Sequence, residues 1–194
     1  MALKRRHELP NFKKLDGIQI YTERLLECFK QWEHYPDSIS VHCGTPYLNE
    51  LYLQTPVTTT KETVILKNGM EDERTYGELL PEFKGTYVEE VLNMFKSPYT
   101  RVRLVVKKPG ALIMPHIDYD TTYSMRYYIP LQTNEWSFTS VKSKNDDHPE
   151  VRHLPADGGV WFVNPGNLHG AWNLGKSDDI RLILAVNGQD DIGD

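Results

Sequence analysis

Two cysteines, Cys28 and Cys43, are all that this 194-residue chain contains. Neither has a second cysteine at the short spacing of thiolate metal sites or redox pairs, so both are read as reduced packing residues rather than parts of a disulfide scaffold. Long apolar runs are missing too. No stretch approaches the roughly 18 consecutive apolar residues of a spanning helix, and the opening MALKRRHELP has no apolar segment behind its basic residues. A cytoplasmic location without membrane attachment is therefore the expectation. Excess positive charge is absent as well: 22 Lys+Arg stand against 27 Asp+Glu, which argues against a general affinity for nucleic acid. Repeats and low-complexity tracts do not occur.

What is present fits one soluble domain of ordinary size, 39% hydrophobic and 25% charged, with a small molecule as the expected partner and no sign of an oligomeric state. Ile18, Leu25, Leu26, Phe29 and Trp32 recur at three- to four-residue spacing between Gly17 and Pro36 and predict an amphipathic helix. A second stripe, Tyr87, Val88, Val91, Leu92 and Phe95, predicts a short helix between Gly85 and Pro98. From residue 100 the texture changes to short β-branched and aromatic runs divided by Pro, Gly and Asn. Strands are predicted at 101–107, 111–118, 125–131, 136–141, 150–154, 159–163, 168–173 and 180–187. The fold class is thus mainly β with N-terminal helices. Residues 1–99 form a helical or irregular part, 100–187 a jelly-roll core, and 188–194 a flexible tail.

His116 and Asp118 lie two residues apart, so on a strand both point to one face and reach one metal ion. Seven histidines and thirteen aspartates in 194 residues produce roughly half a chance His-x-Asp, so the pair needs context. His148-x-Glu150 offers the same ligand types, but in the polar loop KSKNDDHP, expected to be solvated and mobile. His116 instead ends the apolar run Ala111 to Pro115 behind a Pro109-Gly110 turn, where rotamers can be held. His169, in NPGNLHGAW, supplies a third ligand 53 residues on. Two imidazoles and a carboxylate on one face of an ion leave adjacent positions open, the arrangement associated with non-haem Fe(II) oxygenases. Arg181 opens the apolar strand Arg181 to Val186, where a buried arginine needs an anionic partner. The carboxylate of 2-oxoglutarate, bound bidentately, would be one; Asp178 or Asp179 at the surface is the alternative.

The set His116-x-Asp118, His169 and Arg181 resembles the Fe(II)/2-oxoglutarate dioxygenases. Its setting resembles the aspartyl/asparaginyl β-hydroxylase-like branch and bacterial cis-proline hydroxylases. The resemblance runs from about Arg101 to Asn187 through Arg-Val-Arg-Leu, Pro-Gly, Pro-His, Met125-Arg126-Tyr127-Tyr128, Gly-Gly-Val-Trp-Phe-Val-Asn, His-Gly-Ala-Trp and Ile-Arg-Leu. It implies a double-stranded β-helix of the cupin-like kind, with Fe(II) on His116, Asp118 and His169. It also implies 2-oxoglutarate and O2 as cosubstrates, and hydroxylation of an unactivated carbon. Some protein-modifying members of the branch lack the metal-binding carboxylate, so Asp118 fits the amino-acid hydroxylase pattern better. In the family the segment matching Arg126 and Tyr128 faces the iron pocket, which makes both candidates for cosubstrate or substrate binding.

Other residues carry two readings each. Asp120 continues the face of His116 and Asp118 and could bind a substrate amine, or it closes a solvated Asp120-Thr121-Thr122 turn. Arg101 and Arg103 share a strand face that either lines the pocket or meets solvent. Trp161 and Trp172 are read as packing residues. The leading expectation is an oxygenase acting on a free amino acid. The alternatives are a hydroxylase of protein or peptide side chains and a catalytically silent, cupin-like metal-binding module.

Overall fold

The computed structural model describes residues 2–30, 48–52, 54–56, 72–79 and 81–193. Its strands are β1 (Phe12–Gln19), β2 (Leu48–Tyr52), β3 (Gln54–Pro56), β4 (Tyr76–Leu79), β5 (Tyr99–Lys107) and β6 (Leu112–His116), then β7 (Met125–Gln132), β8 (Ser137–Lys142), β9 (Glu150–Arg152), β10 (Gly159–Val163), β11 (Leu168–Asn173) and β12 (Asp179–Val186). Two short helices, α1 (Thr22–Glu27) and α2 (Tyr87–Leu92), lie between them. All eight strands expected beyond residue 100 are present.

A six-stranded antiparallel sheet has the order β1-β10-β7-β12-β5-β2, and a four-stranded one the order β6-β11-β8-β9. Strand alternation sorts the large sheet's residues between two environments. Val102, Leu104, Met125, Tyr127, Leu182 and Leu184 point to one side, where they build the main apolar core with Leu25 and Phe29 near α1 and Val88 and Val91 of α2. Arg101, Arg103, Val105, Lys107, Tyr128, Arg181 and Ile183 point to the other and line a cavity also bounded by Ile113, Thr139 and His169 of the small sheet. The double-stranded β-helix therefore has a greasy outer flank and a charged interior.

The second helix forms as the sequence indicates. Thr86 caps it by accepting a hydrogen bond from Val88 N at 3.2 Å, Glu89 and Glu90 occupy its first turn, and its apolar stripe is buried. The first helix is shorter than expected. Ile18 belongs to β1, and only Thr22–Glu27 is helical; Trp32 and Cys43 lie outside the described residues, while Cys28 is a half-buried free thiol. β1 and β2 extend the large sheet into the region expected to be helical or irregular. Gly17, at φ 75°, accompanies a register shift between Lys14 and Gln19, which breaks the alternation that would have advertised a strand.

Two further expectations change. The tail is pinned: Gln189 Nε2 donates to Lys4 O at 2.7 Å and Thr121 O at 3.0 Å, Asp191 accepts from Lys96 N and Ser97 N, and Ile192 is buried. The 142–149 loop is solvated, as its composition requires, but its base is tied down. There Asn167 Nδ2 donates to Ser143 Oγ at 3.0 Å and Asn11 Nδ2 to Asp146 Oδ2 at 3.3 Å.

Candidate metal centre

His116 ends β6, His169 lies on β11, and the two are register partners in the small sheet. Asp118 follows β6 and is fixed by its backbone N–H, which donates to Pro165 O at 2.9 Å. One ligand atom from each of the three lies within 4.8 Å of the others. His116 Nε2 stands 3.7 Å from Asp118 Oδ1 and His169 Nε2 4.0 Å from Asp118 Oδ2. The opposite ring nitrogens face carbonyls, His116 Nδ1 at 2.7 Å from Met114 O and His169 Nδ1 at 3.0 Å from Asn167 O. A carbonyl only accepts, so each Nδ1 carries the proton and each Nε2 turns a lone pair towards Asp118. This tautomer and orientation are what a metal-binding imidazole needs.

The electrostatics agree. Burial, opposed by the neighbouring Asp118 charge, brings the His169 imidazole down to about 4, so it is neutral at physiological pH. Burial would raise the Asp118 carboxyl, but the neighbouring Arg126 charge above all holds it well below the carboxylate range. Two imidazole nitrogens and one carboxylate thus converge within 4.8 Å of one another, and this donor set fits a divalent first-row metal such as Fe(II). His148, by contrast, is exposed on its loop. Context and not motif separates the two His-x-acid pairs.

Arg126 is buried but does not line the cavity. Its Nη2 donates to Glu73 Oε1 at 2.6 Å and to Asp118 Oδ2 at 3.2 Å, and its Nη1 to Ser124 Oγ at 2.7 Å. Glu73 is itself buried and also pairs with Arg101 at 3.0 Å. Arg126 therefore stands behind Asp118, with its charge answered by Glu73, a different position from the cosubstrate contact expected of it. Tyr128, two residues on, does line the cavity. Burial pushes its phenol up, so it offers a neutral hydroxyl. Glu73 was invisible in the sequence, where nothing distinguishes it from a surface carboxylate.

Arg181 is 1% exposed and does have an anionic partner, but an internal one. Nε and Nη2 donate to Asp179 Oδ1 and Oδ2 at 2.7 and 2.8 Å, and Nη1 donates to Thr139 Oγ1 at 2.7 Å. The bidentate edge expected to hold a cosubstrate is occupied by Asp179, which is fully buried and not at the surface. Both Arg101 and Arg103 line the cavity. Asp120 does not; it closes its turn by accepting from Thr122 N at 3.1 Å and Thr122 Oγ1 at 2.9 Å. Trp172 packs against Phe138, ring centroids 6.0 Å apart.

Comparison with known proteins agrees with this geometry. The sequence pattern of the aspartyl/asparaginyl β-hydroxylase family matches residues 39–189. A solved oxidoreductase of the 2OG-Fe(II) oxygenase family from Burkholderia pseudomallei superposes with a TM-score of 0.59 at 14% identity, covering 92% of this chain and 85% of that one. The capsular polysaccharide assembling protein CapF of Staphylococcus aureus (TM-score 0.38, 17% identity, 48% of this chain and 27% of that) is a more distant likeness. So is an oxalate oxidase in complex with glycolate (0.36, 16%, 45% and 42%). No curated protein sequence matches the chain.

Proposed function

The chain belongs to the aspartyl/asparaginyl β-hydroxylase family and is a dioxygenase of the hydroxylase type, and from that premise we propose that it hydroxylates an unactivated carbon of a free amino acid or similar small molecule. His116, Asp118 and His169 would hold Fe(II), and the cavity would take 2-oxoglutarate, with Arg181 as one cation for its far carboxylate. The metal, when bound, supplies oxygen activation coupled to 2-oxoglutarate decarboxylation. Everything else is done by the chain. The two Nδ1–H···O=C bonds fix the imidazoles, Arg126 holds one oxygen of Asp118, and the sheet-enclosed cavity keeps water from the reacting carbon.

The observation that carries this reading is the complete His-Asp-His set on a cavity also lined by Arg101, Arg103, Lys107 and Arg181. An intact carboxylate at position 118 supports a small-molecule substrate, because the branch members that modify proteins include ones without it. A site that encloses both ends of an amino acid discriminates against analogues lacking either end, since its own charged groups are then left unpaired.

Succinate formation measured across a panel of free amino acids tests this. Turnover is expected with at least one free amino acid and is expected to collapse when its carboxylate is amidated or its amine acetylated. Equal turnover of blocked amino acids or peptides overturns the small-molecule reading in favour of protein side-chain hydroxylation. Fe(II) uptake without any 2-oxoglutarate binding or turnover would leave a silent metal-binding module.

A further inference from the structure

Lys107 and Asp179 face each other as register partners across the β5–β12 ladder; both are buried, and Lys107 lines the cavity. The carboxylate of Asp179 is fully subscribed. It accepts two bonds from Arg181, one from Thr133 Oγ1 at 3.1 Å and one from Ser137 Oγ. Lys107 is left with what remains: its Nζ stands 3.4 Å from Asp179 Oδ1 and 3.3 Å from Ser137 Oγ. Both contacts are longer than the usual 2.7–3.2 Å of an N–H···O bond. A buried ammonium has three N–H groups to place, so a group with two long contacts is poorly served.

Arg181 is in the opposite condition. Of its five N–H groups, two go to Asp179, one to Thr139 and one, at 3.5 Å, towards Ser137 Oγ. A single N–H is left, too little for a bidentate grip on an incoming carboxylate. The end of the cavity nevertheless carries two cations against one anion, and both cations border the space.

We propose that Lys107 is the second cation that receives the far carboxylate of the cosubstrate, completing a grip that Arg181 alone cannot make. The assignment rests on the functional reading above and adds to it a specificity-determining residue. Arg181 donates to Thr139, which lies two residues along β8 from Val141, the register partner of His169. That is about 7 Å at the rise of a strand, the order of the span of a five-carbon dicarboxylate with its keto-acid end at the metal. Lys107 reaches Ser137, two residues further along β8, so its flexible stem has to swing the ammonium back towards Thr139 to share that carboxylate.

A proton accompanies the ligand. Burial and the Arg181 charge bring the Lys107 ammonium down to about 7, against the opposing pull of Asp179. Among the described residues the charged groups facing it are these two on β12. The small sheet presents the hydroxyls of Ser137 and Thr139, and Arg103 lies four residues away along β5. An arriving carboxylate stabilises the charged form, so the lysine that is partly neutral in the empty site becomes fully protonated in the complex. Affinity must then fall as the pH rises above about 7, by up to tenfold per pH unit until the value in the complex is reached.

The test is anaerobic calorimetry on the Fe(II)-loaded protein, with 2-oxoglutarate and with 2-oxovalerate, which has the same chain without the far carboxylate. Lys107→Met is expected to weaken 2-oxoglutarate roughly 10- to 100-fold, the size of one charged hydrogen bond, and to leave 2-oxovalerate unchanged. The unsubstituted protein is expected to take up a fraction of a proton with 2-oxoglutarate near neutral pH, seen as a binding enthalpy that changes with the buffer's ionisation enthalpy. Lys107→Arg keeps the charge and should abolish that uptake, which preserves the test if the Met variant does not fold. Unchanged 2-oxoglutarate affinity in Lys107→Met, or undiminished proton uptake in Lys107→Arg, overturns the assignment while leaving the oxygenase reading intact. Failure of the unsubstituted protein to bind 2-oxoglutarate at all overturns both.

Discussion

His116 and His169, 53 residues apart in the chain, sit directly opposite each other across the β6–β11 ladder with their ring centroids 4.3 Å apart. The proposed metal centre is thus a product of strand register. Slipping that ladder by one residue would turn one imidazole to the other face of the sheet.

His116→Ala and His169→Ala are accordingly expected to abolish tight binding of Fe(II) or of Co(II) as its probe. His148→Ala should leave it intact, because that side chain stands exposed on its loop. Metal titration followed by the Co(II) absorption spectrum reads the difference. An equal loss in the His148 variant would mean the wrong His-x-acid pair has been identified.

Arg126 contacts Asp118 and Glu73 but not the cavity, so its effect on the metal passes through the carboxylate it holds. Arg126→Met is expected to weaken Fe(II) about 10- to 100-fold, typical for loss of a group supporting a metal ligand. It should also cost roughly 1–3 kcal/mol of stability, because the buried Glu73 carboxylate keeps Arg101 but loses the shorter of its two ion pairs. Adding Glu73→Gln should recover much of the stability and little of the metal affinity. If both recover together, Arg126 serves the fold and not Asp118.

Asp179 makes a prediction about acid. Burial would raise its carboxyl, yet the charges of Arg181 and Lys107 and the hydrogen bonds of Arg181 and Ser137 hold it well below the ordinary carboxylate range. A carboxyl depressed in the folded state contributes stability that is fully present above its unfolded value, about 3.9. That contribution is lost as the pH falls from there towards the folded value. Asp179→Asn should be much less stable at pH 7, since two buried cations lose their anion, and the gap to the parent protein should narrow below about pH 4. Urea melts at pH 7 and pH 3 measure it. A constant gap would show that the Asp179 ionisation is not coupled to folding.

The C-terminal sheets were readable because residues 101–187 alternate and are punctuated by Pro, Gly and Asn. β1 was not, since its register shift at Gly17 breaks the alternation and the stripe from Ile18 to Phe29 imitates a helix start. His116, Asp118 and His169 stood out by residue type. Glu73, Lys107 and Asp179 did not, because the burial that gives them meaning comes from partners far away in sequence. Lys107 and Asp179 are 72 positions apart. The one available signal for Lys107 was its place at the end of the series Arg101, Arg103, Val105 on a shared strand face. That face could be read as solvent or pocket until Arg181 was seen opposite Val105.

β12 lies in the middle of the large sheet, hydrogen-bonded to β5 on one side and β7 on the other, although it follows both of them in the chain. Until residue 186 has left the ribosome, β5 and β7 have no shared neighbour, and each presents an open edge to any other chain nearby. Polypeptides cut short by a premature stop would lack the staple itself, and not merely a terminal fringe. Nascent chains of this protein should therefore depend on chaperone cover throughout elongation, and early-terminated products should partition to aggregates or to proteolysis instead of accumulating as partly folded apoprotein.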